Sequence, residues 1–192
     1  MKTKLILYSL ATLLWGLSAC NEEEVIPPHE DITSLNDRFH GKYEIVSSTS
    51  SEALDVDRDG QASTDLLQEI WNLAETDLII HIPAPGYATK PYNFILVQFW
   101  QEQYFSSYST DSIANYATQG VHRVFTFSPS LDKIIVIPEQ LELDPLHFPL
   151  PDEVTIESND IIKIVLQKSL YTSAGWKSVE VTTLYRRYTK TT

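Results

Sequence analysis

The chain has 192 residues, 26 of them acidic and 14 basic, and its formal net charge is −12. This length suits one domain with a core of its own, and the acidic balance argues against nucleic acid as a partner, because phosphates would repel it. The single cysteine, Cys20, excludes an internal disulfide and a cysteine-based zinc site.

The N-terminal residues follow the pattern of a secretory signal. Two lysines precede an apolar stretch at residues 5–17, and small residues then lead to Cys20. Leu17-Ser18-Ala19-Cys20 resembles the lipobox of bacterial lipoproteins. The resemblance implies that residues 1–19 are a signal peptide and that Cys20 carries lipid, which would anchor the chain to a membrane.

Residues 20–37 are predicted to be the lipidated cysteine and a tether, and residues 38–192 the folded domain. Three acids, Glu22 to Glu24, follow the cysteine almost directly. They resemble the outward-export signal of surface-exposed lipoproteins of the Bacteroidetes, which implies an outer-membrane lipoprotein on the cell surface. The alternative is that the acids are simply part of a solvated linker.

The domain itself has the pattern of an all-β protein with one short helix. Asp65 is predicted to cap that helix, in which Leu66, Ile70 and Leu73 share one face. The predicted strands are residues 41–46, 78–82, 93–104, 121–127, 134–137, 154–156, 161–171 and 177–188. Seven or eight strands separated by turn residues indicate an antiparallel barrel or sandwich.

An acid loop precedes the predicted helix. In Asp55-Val56-Asp57-Arg58-Asp59-Gly60 the carboxylates alternate, so they can converge on one hard cation, and the glycine permits the turn between them. The predicted calcium ligands are Asp55, Asp57, Asp59, Gln61, Ser63 and Asp65. Leu66 stands where an EF-hand has its bidentate Glu, which predicts a weak site and leaves Glu69 as a lesser candidate. The alternative is a turn in which Asp side chains bond their own backbone.

Residues 54–70, in which this loop is followed by Ser63-Thr64-Asp65-Leu66-Leu67, resemble a recurring stretch of lipocalin-like lipoproteins of the Bacteroidetes. Residues 179–187 are similar to the closing strand of those proteins. The resemblance implies an antiparallel lipocalin-like β-barrel of about eight strands. Two departures are Gly41-Lys42-Tyr43, where lipocalins have Gly-x-Trp, and the missing cysteine pair.

Two functions fit these patterns. The first is a non-catalytic module that binds a small apolar or amphipathic ligand inside the barrel, with Phe94, Leu96, Trp100, Phe125 and Phe127 as lining residues. The second is a surface or structural lipoprotein with a solidly packed barrel that contacts a protein or a glycan. An interior cavity would favour the first function, and interlocked side chains would favour the second.

Aromatic residues interleaved with Gln, Ser and Thr could form a stacking surface for a sugar or another flat ligand. The alternative is that they are core on one face of a strand and ordinary exposed tyrosines on the other. Phe99, Trp100, Tyr104, Phe105, Tyr108 and Tyr116 gather along the chain, and Trp176 is predicted to edge an opening of the barrel. No enzyme is predicted, because the chain lacks Gly-x-Ser-x-Gly and its five histidines lack metal-ligand spacing. Adjacent acids such as Asp152-Glu153 leave a glycan hydrolase as a third, minor hypothesis.

Overall fold

The computed structural model describes residues 31–84, 86, 94–105, 114–138 and 148–192. The predicted signal peptide, the lipobox with Cys20, and the acids that follow it lie outside these residues, as does Tyr108. Within the described residues, no helix is both long and apolar enough to cross a membrane.

The described residues form one antiparallel sheet that closes into a barrel. Its strands are β1 (Gly41–Leu54), β2 (Ser63–Asp65), β3 (Asp77–His81), β4 (Phe94–Phe105), β5 (Ala114–Phe127), β6 (Ile134–Val136), β7 (Glu153–Ser158), β8 (Ile161–Thr172) and β9 (Gly175–Thr189). The order around the barrel is β6-β5-β4-β3-β1-β9-β8-β7, and the short β2 pairs with β1. The prediction of an antiparallel lipocalin-like barrel of about eight strands is confirmed.

The seam between β6 and β7 is the least regular part of the barrel. A single isolated bridge joins Lys133 to Thr155, and the backbone N–H of Ile156 donates to the carbonyl of Asp132 at 2.8 Å. An open space of about 600 Å³ lies along this seam, where the side chains of Ile135 and Leu150 are exposed. The barrel is therefore nearly closed rather than continuously hydrogen-bonded.

The predicted short helix is present, but it ends before Ile70 and Leu73, which the sequence places on its apolar face. Helix α2 (Leu66–Glu69) is a single turn, and a 3₁₀ turn (Leu73–Glu75) follows it. Asp65 caps α2 as predicted, because its carboxylate accepts from the backbone N–H of Leu67 at 3.0 Å and from the Gln68 amide at 2.9 Å.

A second helix, α1, spans Ile32–Phe39. The prediction that the tether extends to residue 37 is therefore wrong for the residues from Ile32 onward. Asp31 caps it by accepting from the Thr33 N–H at 3.3 Å, and its apolar side chains, which include Phe39, are buried against the barrel. An eight-residue helix is marginal in isolation, so its stability comes from this packing, which the local sequence does not display.

Gly41 and Tyr43 connect α1 to the barrel. A Cβ at Gly41 would lie 2.2 Å from the carbonyl oxygen of Thr189, so only glycine permits this approach of β1 to β9. Tyr43 is fully buried, and its hydroxyl donates to the carbonyl of Phe39 at 2.7 Å. A large aromatic ring is thus buried at the helix end of the barrel.

Candidate functional site

The five residues predicted to line a ligand cavity are all buried inside the barrel. Four of them pack tightly at the end that α1 covers: the rings of Phe94, Phe125 and Phe127 have centroids 5.3–5.6 Å apart, and Leu96 belongs to the same core. The Phe39 ring from α1 lies 5.0 Å from that of Phe127. These side chains interlock with one another instead of surrounding an open cavity.

The fifth residue, Trp100, borders a small polar chamber in the other half of the barrel. This chamber has a volume of about 20 Å³, enough for about one water molecule. Pockets for small-molecule ligands usually measure roughly 300–1,000 Å³. This chamber is therefore too small for the apolar ligand of the first functional hypothesis, and the larger space of about 600 Å³ lies along the β6–β7 seam instead.

Charged side chains line the chamber. The ammonium of Lys168 forms an ion pair with the Glu102 carboxylate and lies 5.3 Å from the centre of the Trp100 ring. Arg123 donates to the carbonyls of Phe148 and Pro149 at 2.8 and 3.0 Å. Burial lowers the pKa of Lys168, while the charge and hydrogen bond of Glu102 act in the opposite direction. The two charges are buried together, so each depends on the other.

Sequence reasoning missed this polar cluster, although the strand pattern contains a signal for it. Lys168 occupies an inward position of β8, between the buried residues Leu166 and Leu170. Glu102 lies two residues beyond the buried Trp100 on β4. Charged residues in phase with the apolar face of a strand indicate a buried ion pair when two such strands face each other.

The acid loop brings together three carboxylates, from Asp55, Asp57 and Glu69, with ligand oxygens within 4.8 Å of one another. Glu69 is buried, and its Oε2 accepts from the backbone N–H of Val56 at 2.8 Å. Burial raises the pKa of the Glu69 carboxyl, the N–H groups of Val56 and Asp57 oppose that rise, and the charges of Asp57 and Asp55 add to it. Sequence reasoning had ranked Glu69 as the weaker candidate.

The other four predicted calcium ligands are engaged in local hydrogen bonds. Asp59 accepts from the backbone N–H of Gln61 at 2.7 Å, and the Ser63 hydroxyl accepts from that of Asp65 at 3.0 Å. Asp65 also caps α2. Such bonds stabilise an acidic turn without any ion, so the alternative predicted for this loop accounts for them. Calcium binding stays a prediction, now centred on Asp55, Asp57 and Glu69.

If the loop binds calcium, millimolar calcium should raise the melting temperature by a few degrees, because a ligand that binds only the folded state stabilises it. Changing Asp55 and Asp57 together to Asn should abolish that rise. Asp59→Asn is the matched control and should retain it, since its carboxylate lies outside the three-carboxylate group. An unchanged melting temperature of the wild-type protein in calcium would contradict the prediction.

An aromatic surface lies at the barrel end that carries the acid loop. It is formed by the rings of Phe105, Tyr171 and Trp176. The rings of Tyr171 and Trp176 have centroids 5.4 Å apart, and Phe105 lies 4.7 Å from Tyr171 and 6.0 Å from Trp176. Phe105 is 41% exposed and Trp176 49%. The rings contact one another edge to face, so they remain partly accessible to solvent.

The acid loop lies directly beside the aromatic surface. The backbone N–H of Ser173, in the β8–β9 turn, donates to the carbonyl of Asp55 at 3.0 Å. The guanidinium of Arg58 lies 5.9 Å from the centre of the Tyr171 ring. Flat apolar faces, a guanidinium and carboxylate oxygens therefore share one edge of the barrel, opposite the end that α1 covers.

The fold places the aromatic residues of the predicted stacking surface in different parts of the barrel. Phe105 joins the aromatic surface and Trp176 lies at the barrel end as expected, whereas Trp100 lies in the interior. Tyr171 was missed because the last strand was predicted to begin at residue 177, whereas β9 begins at Gly175 and places Trp176 opposite Tyr171. Tyr104 is exposed beside Phe105, and its ring is not part of the surface defined above.

Comparisons with known proteins assign the chain to no family. No protein-family model matches it, and neither a curated protein nor a solved structure shows significant similarity.

Proposed function

We propose that the chain is a non-catalytic, lipid-anchored lipoprotein of the outer membrane that contacts a glycan through the aromatic surface of a packed barrel. The observation that carries this proposal is the interlocked interior, where Phe94, Phe125 and Phe127 pack together and the chamber beside Trp100 has room for about one water molecule. A barrel filled by its own side chains leaves its outer surface for binding.

The anchor in this proposal rests on the sequence. The lipobox that ends at Cys20 supports lipidation, and the acids at Glu22 to Glu24 support display on the cell surface. The formal net charge of −12 favours a covalent lipid over electrostatic attraction to anionic headgroups as the means of membrane attachment.

A neutral saccharide is the glycan class that fits the aromatic surface best. Ring faces stack on the apolar faces of sugars, while carboxylates such as Asp55 and Asp57 and the guanidinium of Arg58 can bond sugar hydroxyls. The formal net charge of −12 opposes the approach of polyanionic saccharides. The rings extend from the end of β4 and from the β8–β9 hairpin, which gives them a fixed spacing.

Glycan binding is tested with the Cys20→Ser chain on an array of neutral and anionic oligosaccharides. This variant should appear in the soluble fraction, and its retention in the membrane fraction would contradict the anchor.

Trp176→Ala should weaken binding to the best neutral saccharide by about tenfold, the equivalent of ~1.4 kcal/mol, because it removes a stacking face.

Tyr188→Ala is the matched control for Trp176→Ala. Tyr188 is also half exposed and lies on β9, but near the opposite end of the barrel. Equal losses in the two variants, or binding to no saccharide on the array, would contradict the glycan proposal. A native mass spectrum in which the chain carries an organic molecule of several hundred daltons would favour the interior-ligand hypothesis instead.

A further inference from the structure

His40 connects α1 to the end of β3. Its backbone N–H donates to the carbonyl of Asn36 at 3.0 Å, and its ring Nδ1 accepts from the backbone N–H of Ile82 at 3.0 Å. Nε2 lies 3.3 Å from the hydroxyl of Thr192. Because Nδ1 accepts a hydrogen bond, the ring is neutral and carries its proton on Nε2.

Ile82 also holds α1 through its carbonyl, which accepts from the side-chain amide of Asn36 at 2.7 Å. Ile82 is fully buried, so its backbone N–H has no access to water if His40 ceases to accept from it. The packing of α1 over the apolar half of the barrel therefore depends on the protonation state of one ring nitrogen.

The charged groups around His40 disfavour a positive charge on it. On β3, the His81 ring lies 5.4 Å from the His40 ring, and on β9 the guanidinium of Arg187 donates to the carbonyls of Asp37 and His40 at 3.3 and 3.4 Å. Asp160, in the turn between β7 and β8, is an ion-pair partner of Arg187 and partly offsets its charge.

On α1 itself, Arg38 adds a further cation, with its guanidinium 4.7 Å from the centre of the Phe39 ring. Asp37 is the acidic residue of the same turn. Burial lowers the pKa of His40 from its ordinary value of 6.5, and the charges of His81 and Arg187 lower it further.

We propose that His40 is a pH-sensitive latch, which holds α1 against the barrel at neutral pH and loosens it in mildly acidic conditions. A proton taken up from solvent at Nδ1 turns this acceptor into a donor, and the N–H of Ile82 loses its partner. The same proton places a positive charge beside Arg187 and His81. Both effects favour a state in which α1 separates from the barrel end.

The direction of the pH dependence follows from linkage. His40 binds a proton less readily when α1 is packed than when α1 is released, so protonation shifts the equilibrium toward release. The contribution of His40 to the packing of α1 is therefore fully present above the pKa of the released state and declines as pH falls below about 6.5. Release would expose Phe39 and its partner Phe127.

Hydrogen exchange of the α1 backbone tests the latch on the whole chain. After correction for the intrinsic pH dependence of exchange, residues 32–39 should exchange roughly tenfold faster at pH 5.5 than at pH 7.5, the size expected when a buried N–H loses its acceptor. Exchange in β8 and β9 should not change in the same way, which distinguishes release of α1 from global unfolding.

His40→Asn removes the titration while its side-chain oxygen remains an acceptor near the position of Nδ1, so the corrected exchange of α1 should become independent of pH. His122→Asn, at an exposed position of β5, is the matched control and should behave as the wild-type protein does. The latch would be overturned if the exchange of α1 in His40→Asn depended on pH as it does in the wild-type protein. It would also be overturned if the exchange of α1 in the wild-type protein did not depend on pH.

If His40→Asn does not fold, a nuclear magnetic resonance titration of the wild-type protein gives the same decision. The ring nitrogens of His40 and the backbone amides of α1 should then change with a common midpoint below 6.5. A midpoint for α1 that follows another histidine and not His40 would overturn the proposal.

Discussion

Replacing Lys168 with Ala is expected to lower the free energy of unfolding by about 3–5 kcal/mol, because it leaves the Glu102 carboxylate inside the barrel without its counter-charge. Lys168 is 5% exposed, and the Glu102 side chain is 16% exposed. Urea denaturation of the Cys20→Ser chain measures the change. The loss exceeds that of an ordinary surface salt bridge, because solvent screens a buried pair much less.

The double variant Lys168→Met with Glu102→Leu separates the cost of an unpaired charge from the value of the pair. It should recover most of the loss of Lys168→Ala, since apolar residues of similar size remove both desolvated charges. A double variant as unstable as Lys168→Ala would show that packing around the lysine stem, and not the unpaired carboxylate, determines the effect.

Phe125→Ala is expected to cost about 3–5 kcal/mol, the range for a large aromatic residue truncated in a close-packed core. Phe125 is fully buried, and its ring lies 5.5 Å from Phe94 and 5.3 Å from Phe127. The truncation leaves a cavity that the rigid strands around it cannot fill. Thermal and urea unfolding provide the measurement.

Phe105→Ala is the matched control, since it removes the same ring from a partly exposed position and should cost about 1 kcal/mol. If the two substitutions lowered the free energy of unfolding equally, the interior would be loosely packed. The hypothesis of an interior ligand would then be as well supported as the glycan proposal. The comparison therefore tests the observation on which the proposed function rests.

Local features of the fold were predictable because their causes lie within a few residues. Asp65 and Gln68 are three positions apart, which is enough to place the start of α2 at the correct residue. Alternating apolar residues in stretches such as 161–171 predicted strands, and the turn residues between them predicted antiparallel pairing. The glycine and acid turn at residues 55–60 was likewise recognised from its spacing.

Helix α1 shows where local reasoning fails. Its sequence is short and polar on one side, and it was assigned to the tether, because nothing within Ile32–Phe39 indicates the barrel end that buries Phe39. Glu69 was undervalued for a related reason. Its carboxylate reaches Val56 only because α2 folds back against the acid loop.

The sequence by itself determined that this protein is an antiparallel β-protein, either a barrel or a sandwich, with a capped turn of helix after an acid loop, because strand period, turn residues and caps act over short distances. Only the tertiary structure decided which side chains meet: that the phenylalanine rings interlock, that Lys168 pairs with Glu102, and that Tyr171 joins Phe105 and Trp176. These contacts depend on the register between strands distant in the chain and on the volume that closure leaves inside, and neither quantity is local.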